Sequence, residues 1–366
     1  MNESQINQLK VGIVVATLNR PDFVIRQLQY YANLQSPHPV YIGDSSNEEN
    51  AKKLQMGINK INPPLTVHYY YYPKTEYSLG EVVKNLYDQV NEKYVVFIGD
   101  DDYQIPPSLT KCAEFLEHHP DYSNASGQAV SFRLVNNGVY GELKSLSDYP
   151  RRQIEAPTAA ERLLSFLSKY YVPLFSVHRI EQIRKCWQHT SEIENLNFST
   201  EILPSTMSLV LGKSKIIDCL SFVRQIHDRH IKLPDTFDWI IRKDWASSYE
   251  TFNKILAEAI SNKDGISIEK AAEIVKQAFW KRLAKQLPKG YDDAYEELAI
   301  QPVKPAFDLK SMKLKIGQKF PQFKKLYRQI IRPLTKAPLQ LHYEALRQES
   351  EYYIDFKPVL DSFSLK

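Results

Sequence analysis

Short apolar runs rich in β-branched residues alternate with amphipathic segments through the first hundred residues, and this rhythm narrows the fold more than any other feature. VGIVVAT (11–17), PVYIGDSS (39–46), LTVHYYYYP (65–73) and KYVVFIGDDD (93–102) read as strands. Between them lie three helical segments: RPDFVIRQLQYYANL (20–34), with Phe23, Leu28, Tyr31 and Leu34 at helical spacing, NEENAKKLQMGINKI (47–61) and SLGEVVKNLYDQVNE (78–92). Ser78 followed three residues later by Glu81 is a capping-box signature for the last of these. Helices of this length between strands imply right-handed crossovers and a mostly parallel sheet.

Beyond about residue 123 the rhythm changes. Two strand-like runs flank Asn137-Gly138 in 124–144, a hairpin signal. A helix is expected over 156–170, a strand over 171–179 and a helix over 180–188. A helix interrupted at Pro204 spans 199–211, and a strand covers 214–227. Only helical patterns follow residue 235. The expected organisation is an α/β domain over 1–235, in halves of about 10–122 and 123–235, and a helical C-terminal region over 236–366.

With 43% hydrophobic and 25% charged residues, the chain is globular and not disordered. Its apolar runs fall short of the roughly 18 residues that a membrane-spanning helix needs. MNESQINQLK has neither the apolar core nor the small-residue cleavage site of a signal peptide. Cys112, Cys186 and Cys219 are too few and too scattered for a disulfide framework or a Cys-rich zinc site, so a reducing cytoplasmic setting is expected. Charge is concentrated: 304–336 holds ten basic side chains against Asp308 alone, more than the whole net charge of +4, so the rest of the chain is mildly acidic.

In an open α/β sheet, ligands bind beyond the carboxyl ends of the strands. Three polar clusters fall there: Thr17-Leu18-Asn19-Arg20, Asp44-Ser45-Ser46 and Asp100-Asp101-Asp102. The first two also read as ordinary turn residues. Three adjacent carboxylates at what reads as an exposed strand end repel one another. A divalent cation, Mg²⁺ or Mn²⁺, would remove that penalty and hold phosphate oxygens as well. Such a site suits a nucleoside diphosphate leaving group.

The order strand-TLNRP-helix, strand-GDSSN, then VVKNLYDQVNEKYVVFIGDDDYQIPPSL resembles the family 2-like nucleotide-diphospho-sugar glycosyltransferases of the GT-A fold over about residues 10–230. The resemblance implies a Rossmann-like, mostly parallel sheet flanked by helices. It places Thr17 and Arg20 at the nucleobase pocket, Asn19 among the residues that bind the nucleotide-sugar, and Asp44 on the base or ribose. Lys84 and Asn85 would lie near the diphosphate, with Asp100 and Asp101 on the nucleotide-sugar. Asp100 and Asp102 would form the DxD pair, Asp102 coordinating the metal and His227, or else His230, completing the site. This chain departs from the family pattern in Gly99, where a first Asp is frequent, and in Asp44-Ser45-Ser46.

The family's acceptor-side Glu-Asp pair is Thr200-Glu201 here. Glu201 is therefore the expected catalytic base of an inverting transfer, with Glu192 and Glu194 as fallbacks and a solvated helix-start Glu as the alternative. His178-Arg179 either approaches the acceptor or sits on the surface. No HExxH, Gly-x-Ser-x-Gly or Walker pattern occurs, and Gln104 excludes a DxDxT phosphatase.

The expected activity is glycosyl transfer from a nucleotide-diphospho-sugar to a glycan or lipid-linked acceptor in surface polysaccharide assembly. A non-catalytic nucleotide- or glycan-binding relative is the alternative. In 319–334, Phe320, Phe323, Tyr327, Ile330, Ile331 and Leu334 recur at helical spacing among basic residues. That pattern predicts peripheral attachment to an anionic membrane surface, or else a helix packed on the body. The acidic body argues against nucleic acid as the partner of these aromatics.

Overall fold

A computed structural model describes residues 9–61, 63–228, 236–297 and 341–364. The basic segment 304–336 and His230 lie outside the described residues. The first seven elements alternate as expected: β1 (Val11–Thr17), α1 (Pro21–Asn33), β2 (Val40–Asp44), α2 (Glu48–Ile61), β3 (Val67–Tyr71), α3 (Leu79–Gln89) and β4 (Tyr94–Gly99). The Ser78 hydroxyl accepts the Glu81 N–H at 3.3 Å while Glu81 Oε2 accepts the Ser78 N–H at 2.8 Å, so the capping box is formed.

The second half contains β5 (Tyr103–Gln104), α4 (Pro106–His118), β6 (Tyr122–Leu134), β7 (Leu143–Asp148), α5 (Ala159–Ser168), β8 (Val177–Arg179), α6 (Ile180–Trp187), α7 (Leu203–Leu211) and β9 (Lys213–Gln225). Helices α8 (Thr236–Ile240), α9 (Trp245–Asp264), α10 (Ile268–Glu297), α11 (Leu341–Glu344) and α12 (Glu351–Phe363) follow. Three local expectations need correction, and one helix, α4, was not anticipated. Pro106 starts helix α4, because proline tolerates the first helical turn where its missing N–H is not needed. The strand expected over 171–179 shrinks to β8, since Pro173 opens a 3₁₀ turn before it. Pro204 does not interrupt its helix: a π-turn at Phe198–Ile202 leads into α7, with Pro204 in the first turn. Leu34 caps α1 and is exposed rather than packed.

The described strands join one sheet in the order β3-β2-β1-β4-β8-β6-β9-β5, with β7 on β6. Strands β3, β2, β1 and β4 are mutually parallel, as is β6 with β9. Strands β5, β7 and β8 pair antiparallel. Register decides where the loops meet. Thr17 lies opposite Asp44, Ala16 opposite Gly99 and Asp44 opposite Tyr71, so the polar clusters leave the sheet at one level.

Alternation along β1 feeds two cores. Val14 joins the face covered by α3, α5, α6, α7, α9 and α10, whereas Val11, Ile13 and Val15 join the face covered by α1, α2, α4 and α12. The C-terminal helices thus share the core of the α/β body. Phe198 sits 5.0 Å from Trp239, 5.2 Å from Phe252 and 5.6 Å from Phe279, ring centre to ring centre. Helix α12 returns to the opposite face, where Phe363 stacks on Phe132 at 4.6 Å and its carbonyl accepts the Gly141 N–H at 2.8 Å. Among the described residues no helix is long and apolar enough to cross a membrane.

Candidate functional site

The three aspartates are buried, each only 2–3% exposed, not solvated at an open strand end. Their partners come from the end of β1, the residue that precedes α1, and the end of β9 with the residues after it. Thr17 Oγ1 donates to Asp100 Oδ2 at 2.7 Å, Arg20 Nε donates to the same oxygen at 3.1 Å, and Arg20 Nη2 pairs with Asp100 Oδ1. Arg20 Nη1 reaches Asp101 Oδ2 at 3.1 Å, and His227 Nε2 lies 2.7 Å from that oxygen. The His227 ring is held in turn against Phe23, with centroids 5.1 Å apart. Asp102 Oδ1 accepts the Gln225 N–H at 2.9 Å, from the end of β9.

Burial raises the pKa of Asp100 to about 6, with Arg20 opposing it. Burial pushes Asp102 well above the usual carboxylate range, helped by the Asp101 charge and opposed by Arg224. Burial works against the Arg20 charge, and Asp100 and Asp101 more than offset it. The cluster meets solvent at Arg20, whose side chain is 25% exposed.

The set expected to hold a cation, Asp100, Asp102 and His227, does not converge. Asp100 faces Thr17 and Arg20, His227 faces Asp101, and Asp102 faces the β9 backbone. Among the described residues no three His, Cys, Asp or Glu side chains are grouped to hold a metal ion. As placed, these residues do not fit a resident divalent cation. Gly99 has a reason of its own: a Cβ there would lie 2.8 Å from Asp101 Oδ1 and 3.0 Å from Asp102 Oδ2. The position where a first Asp is frequent is thus occupied by its neighbours' carboxylates.

Asn19 and Asp44 brace the adjoining loops. Asn19 adopts φ +55, which asparagine tolerates, and its Oδ1 accepts the Asn47 N–H at 2.9 Å while its own N–H donates to Ser46 Oγ at 2.7 Å. Asp44 is fully buried, with Oδ1 accepting the Ser46 N–H and Oδ2 the Tyr69 hydroxyl, both at 2.8 Å. Lys84 and half-buried Asn85 sit on α3, and Lys84 pairs with Asp88 at 2.9 Å on an open groove bordered by Arg184 and Trp187. No hydrogen bond links either residue to the aspartates among the described residues.

Glu201 lies in the π-turn, where Oε1 accepts the Tyr170 hydroxyl at 2.9 Å. It opens on a separate cavity that no residue of the aspartate cluster lines. Glu192 pairs with His189 at 2.7 Å, and Glu194 is exposed. His178 is buried in β8, 3.1 Å from the Pro173 carbonyl, and Arg179 donates to the Tyr122 and His119 carbonyls at 3.1 Å. Both are framework residues.

Sequence reasoning missed Arg26 and Gln27. Arg26 donates to the Asp101 carbonyl at 2.9 Å, and Gln27 Nε2 to the Gly99 and Asp102 carbonyls at 2.9 and 2.7 Å, so α1 fixes the turn that presents the aspartates. Two polar residues between Phe23 and Tyr30 on a helix face that must pack was the available signal. Arg224, which donates to the Tyr149 hydroxyl at 3.1 Å and whose charge acts on Asp102, was also missed.

No family profile matches the chain, and no curated protein does. Solved structures do. A Staphylococcus aureus TarS structure (residues 1–349) with UDP-GlcNAc aligns at 17% identity and TM-score 0.48 over 75% of this chain and 72% of that one. The same fragment alone aligns at 15% identity and TM-score 0.45, over 75% and 71% of the two chains. The mannosyltransferase PcManGT from Pyrobaculum calidifontis, with GDP-Man and Mn²⁺, aligns at 12% identity and TM-score 0.43 over 89% and 86%. By its own sheet order and helix placement, the chain is an α/β protein with a mostly parallel sheet flanked by helices.

Proposed function

We propose that this protein transfers a glycosyl group from a nucleotide-diphospho-sugar to an acceptor hydroxyl. The observation that carries the reading is the common level at which Thr17–Arg20, Asp44–Ser46 and Gly99–Asp102 leave the parallel strands, in the order that the sequence resemblance implies. Thr17, Asn19, Arg20 and Asp44 form the nucleotide side of the site in this reading, with Lys84, Asn85, Asp100 and Asp101 toward the diphosphate. Arg20, the partly exposed cation of the cluster, faces the charge that develops on the leaving diphosphate. Arg224 adds a second guanidinium beside Asp102.

Glu201 serves as the base in an inverting transfer. It takes the acceptor hydroxyl proton as that oxygen forms its bond to the anomeric carbon, and the bond from that carbon to the diphosphate breaks on the opposite face. Tyr170 orients the carboxylate through Oε1. The acceptor is a glycan or lipid-linked glycan, and the basic segment 304–336 would bring the enzyme to an anionic membrane surface on its cytoplasmic side.

A second reading, a nucleotide- or glycan-binding protein without turnover, is favoured by one observation: each aspartate of the cluster is already bonded within the protein. One experiment separates them. UDP- and GDP-sugars are screened by thermal shift and by release of nucleoside diphosphate, with and without Mn²⁺. Stabilisation with release supports transfer, and stabilisation without release in the presence of acceptor glycans supports the binder. A flat response to every nucleotide sugar overturns both.

A further inference from the structure

Arg282, on α10, is a buried cation that the fold does not satisfy. It is 7% exposed, and its Nε and Nη1 are covered without a hydrogen-bond partner. Its guanidinium lies 4.1 Å from the centre of the Tyr170 ring, and Tyr170 donates to Glu201 Oε1. Burial lowers the Arg282 pKa, with Tyr170 and Glu201 opposing it. A buried charge that lacks hydrogen bonds is costly, and a chain selected for stability alone would place an apolar residue there.

The side chain lines a cavity of about 170 Å³ together with Glu201, Asn197, Thr236, Trp239 and Gln286. An engineered cavity of about 150 Å³ takes one benzene ring, so this space matches a single sugar ring. Trp239 spends its indole N–H on Asn195 Oδ1 at 2.9 Å, so its ring face is what it can offer a ligand. Glu201 Oε2 takes no hydrogen bond among the described residues, whereas Arg282, Asn197 and Gln286 supply donors. A carboxylate beside a guanidinium, with amides around them and an aromatic wall, matches hydroxyl groups, each of which donates and accepts. An anion would be repelled by Glu201.

We propose that this cavity is a subsite for one neutral, hydroxylated sugar ring, held through Arg282 and Glu201. Taking that ring to be part of the acceptor rests on the glycosyltransferase reading; binding of the ring itself does not. The C-terminal helical region then contributes directly to substrate recognition through Arg282 and Gln286.

The test uses the full chain, saturation-transfer NMR and thermal shift, with methyl β-D-glucopyranoside and methyl N-acetyl-β-D-glucosaminide as probes and glucuronate and inorganic phosphate as controls. A neutral glycoside is expected to bind the wild type and to bind Arg282→Met at least tenfold more weakly, with the melting temperature of that variant unchanged or higher. Gln286→Leu, on a half-exposed position, provides a second variant if Arg282→Met fails to fold, and it too should weaken the glycoside signal. Unchanged glycoside binding in the variants overturns the proposal, as does preference for phosphate or glucuronate, or no glycoside binding by the wild type. Nucleotide-sugar binding is measured on the same samples. Donor binding without glycoside binding removes this subsite alone, and glycoside binding without donor binding removes the transferase reading alone.

Discussion

Replacing Arg20 with alanine removes the cation that Asp100 and Asp101 share, and the structure sets the size of the effect. Both carboxylates are buried at 2–3% exposure, so stripping their partner leaves charge that solvent cannot reach. Breaking a buried pair in this way costs about 3–5 kcal/mol. The cost must depend on pH. The folded protein holds the Asp100 proton more tightly than the unfolded chain, since burial raises its pKa to about 6. Its contribution to stability is therefore present at low pH and lost as pH rises through that value. Without Arg20 the folded-state pKa climbs further, and the variant goes on losing up to about 1.4 kcal/mol per pH unit where the wild type has levelled off. Between pH 6 and pH 8 the penalty should thus grow by as much as about 2.7 kcal/mol for one carboxylate. Urea unfolding followed by circular dichroism at pH 5, 6.5 and 8 measures it. Adding Asp100→Asn to the variant should recover more than half of the loss at pH 8, a coupling that a double-mutant cycle isolates. A penalty below about 1 kcal/mol at pH 8, or one that does not change with pH, would refute the claim that Arg20 neutralises a buried carboxylate pair.

Glu201→Gln should lower glycosyl transfer by about 10²–10⁴-fold with donor affinity retained, read from product formation and thermal shift; a loss under about tenfold places the base elsewhere. His178→Gln should flatten the acid limb of stability. Burial lowers the pKa of His38 and of His178 to about 4, so each contributes about 3 kcal/mol above pH 6.5 that disappears as pH falls toward 4. The variant should take up about one proton fewer on unfolding over that range, measured from urea midpoints at pH 7 and 4.5. Phe363→Ala should cost about 3–5 kcal/mol, because that ring is fully buried against Phe132; a change under about 1 kcal/mol in urea unfolding would mean that α12 is not docked. Replacing Lys324, Lys325, Arg328 and Arg332 with glutamine should abolish salt-sensitive flotation with anionic liposomes, and binding that ignores lipid charge would contradict attachment through 304–336.

The parallel half of the fold was legible because its signals are local. Each strand from Val11 to Gly99 is a short apolar run, each intervening helix has its own start signal, and the capping box at Ser78 works within four residues. The polar clusters were legible as a group for the same reason, since parallel strands of similar length end together. Helix α4 was missed, although Pro106 stands where proline commonly starts a helix. Local signals do not carry partners. Asp102 is bonded to a backbone N–H 123 residues away, and Arg20 and His227, 207 residues apart, converge on Asp101. No window of sequence reports those distances.

That difference bears on why an apolar strand can run into three acids. Local reasoning offers two escapes from the repulsion, solvent or a bound cation, and this structure shows a third, partners supplied by the protein itself. Asp100 and Asp101 are charge-paired by Arg20, Asp101 is also met by His227, and Asp102 is met by the β9 backbone with Arg224 nearby. Helix α1 supplies Arg26 and Gln27 to hold the carbonyls of the same turn. The acids are tolerated because separate segments, the end of β1, the start of α1, the end of β9 and the residues after it, bring partners to one point, and that convergence exists only once the sheet has formed. A site assembled this way has its charge balanced before any ligand arrives. If the proposed function holds, a donor diphosphate would meet the exposed side of Arg20 first, not the carboxylates, and its binding strength should follow the arginine more closely than any single aspartate.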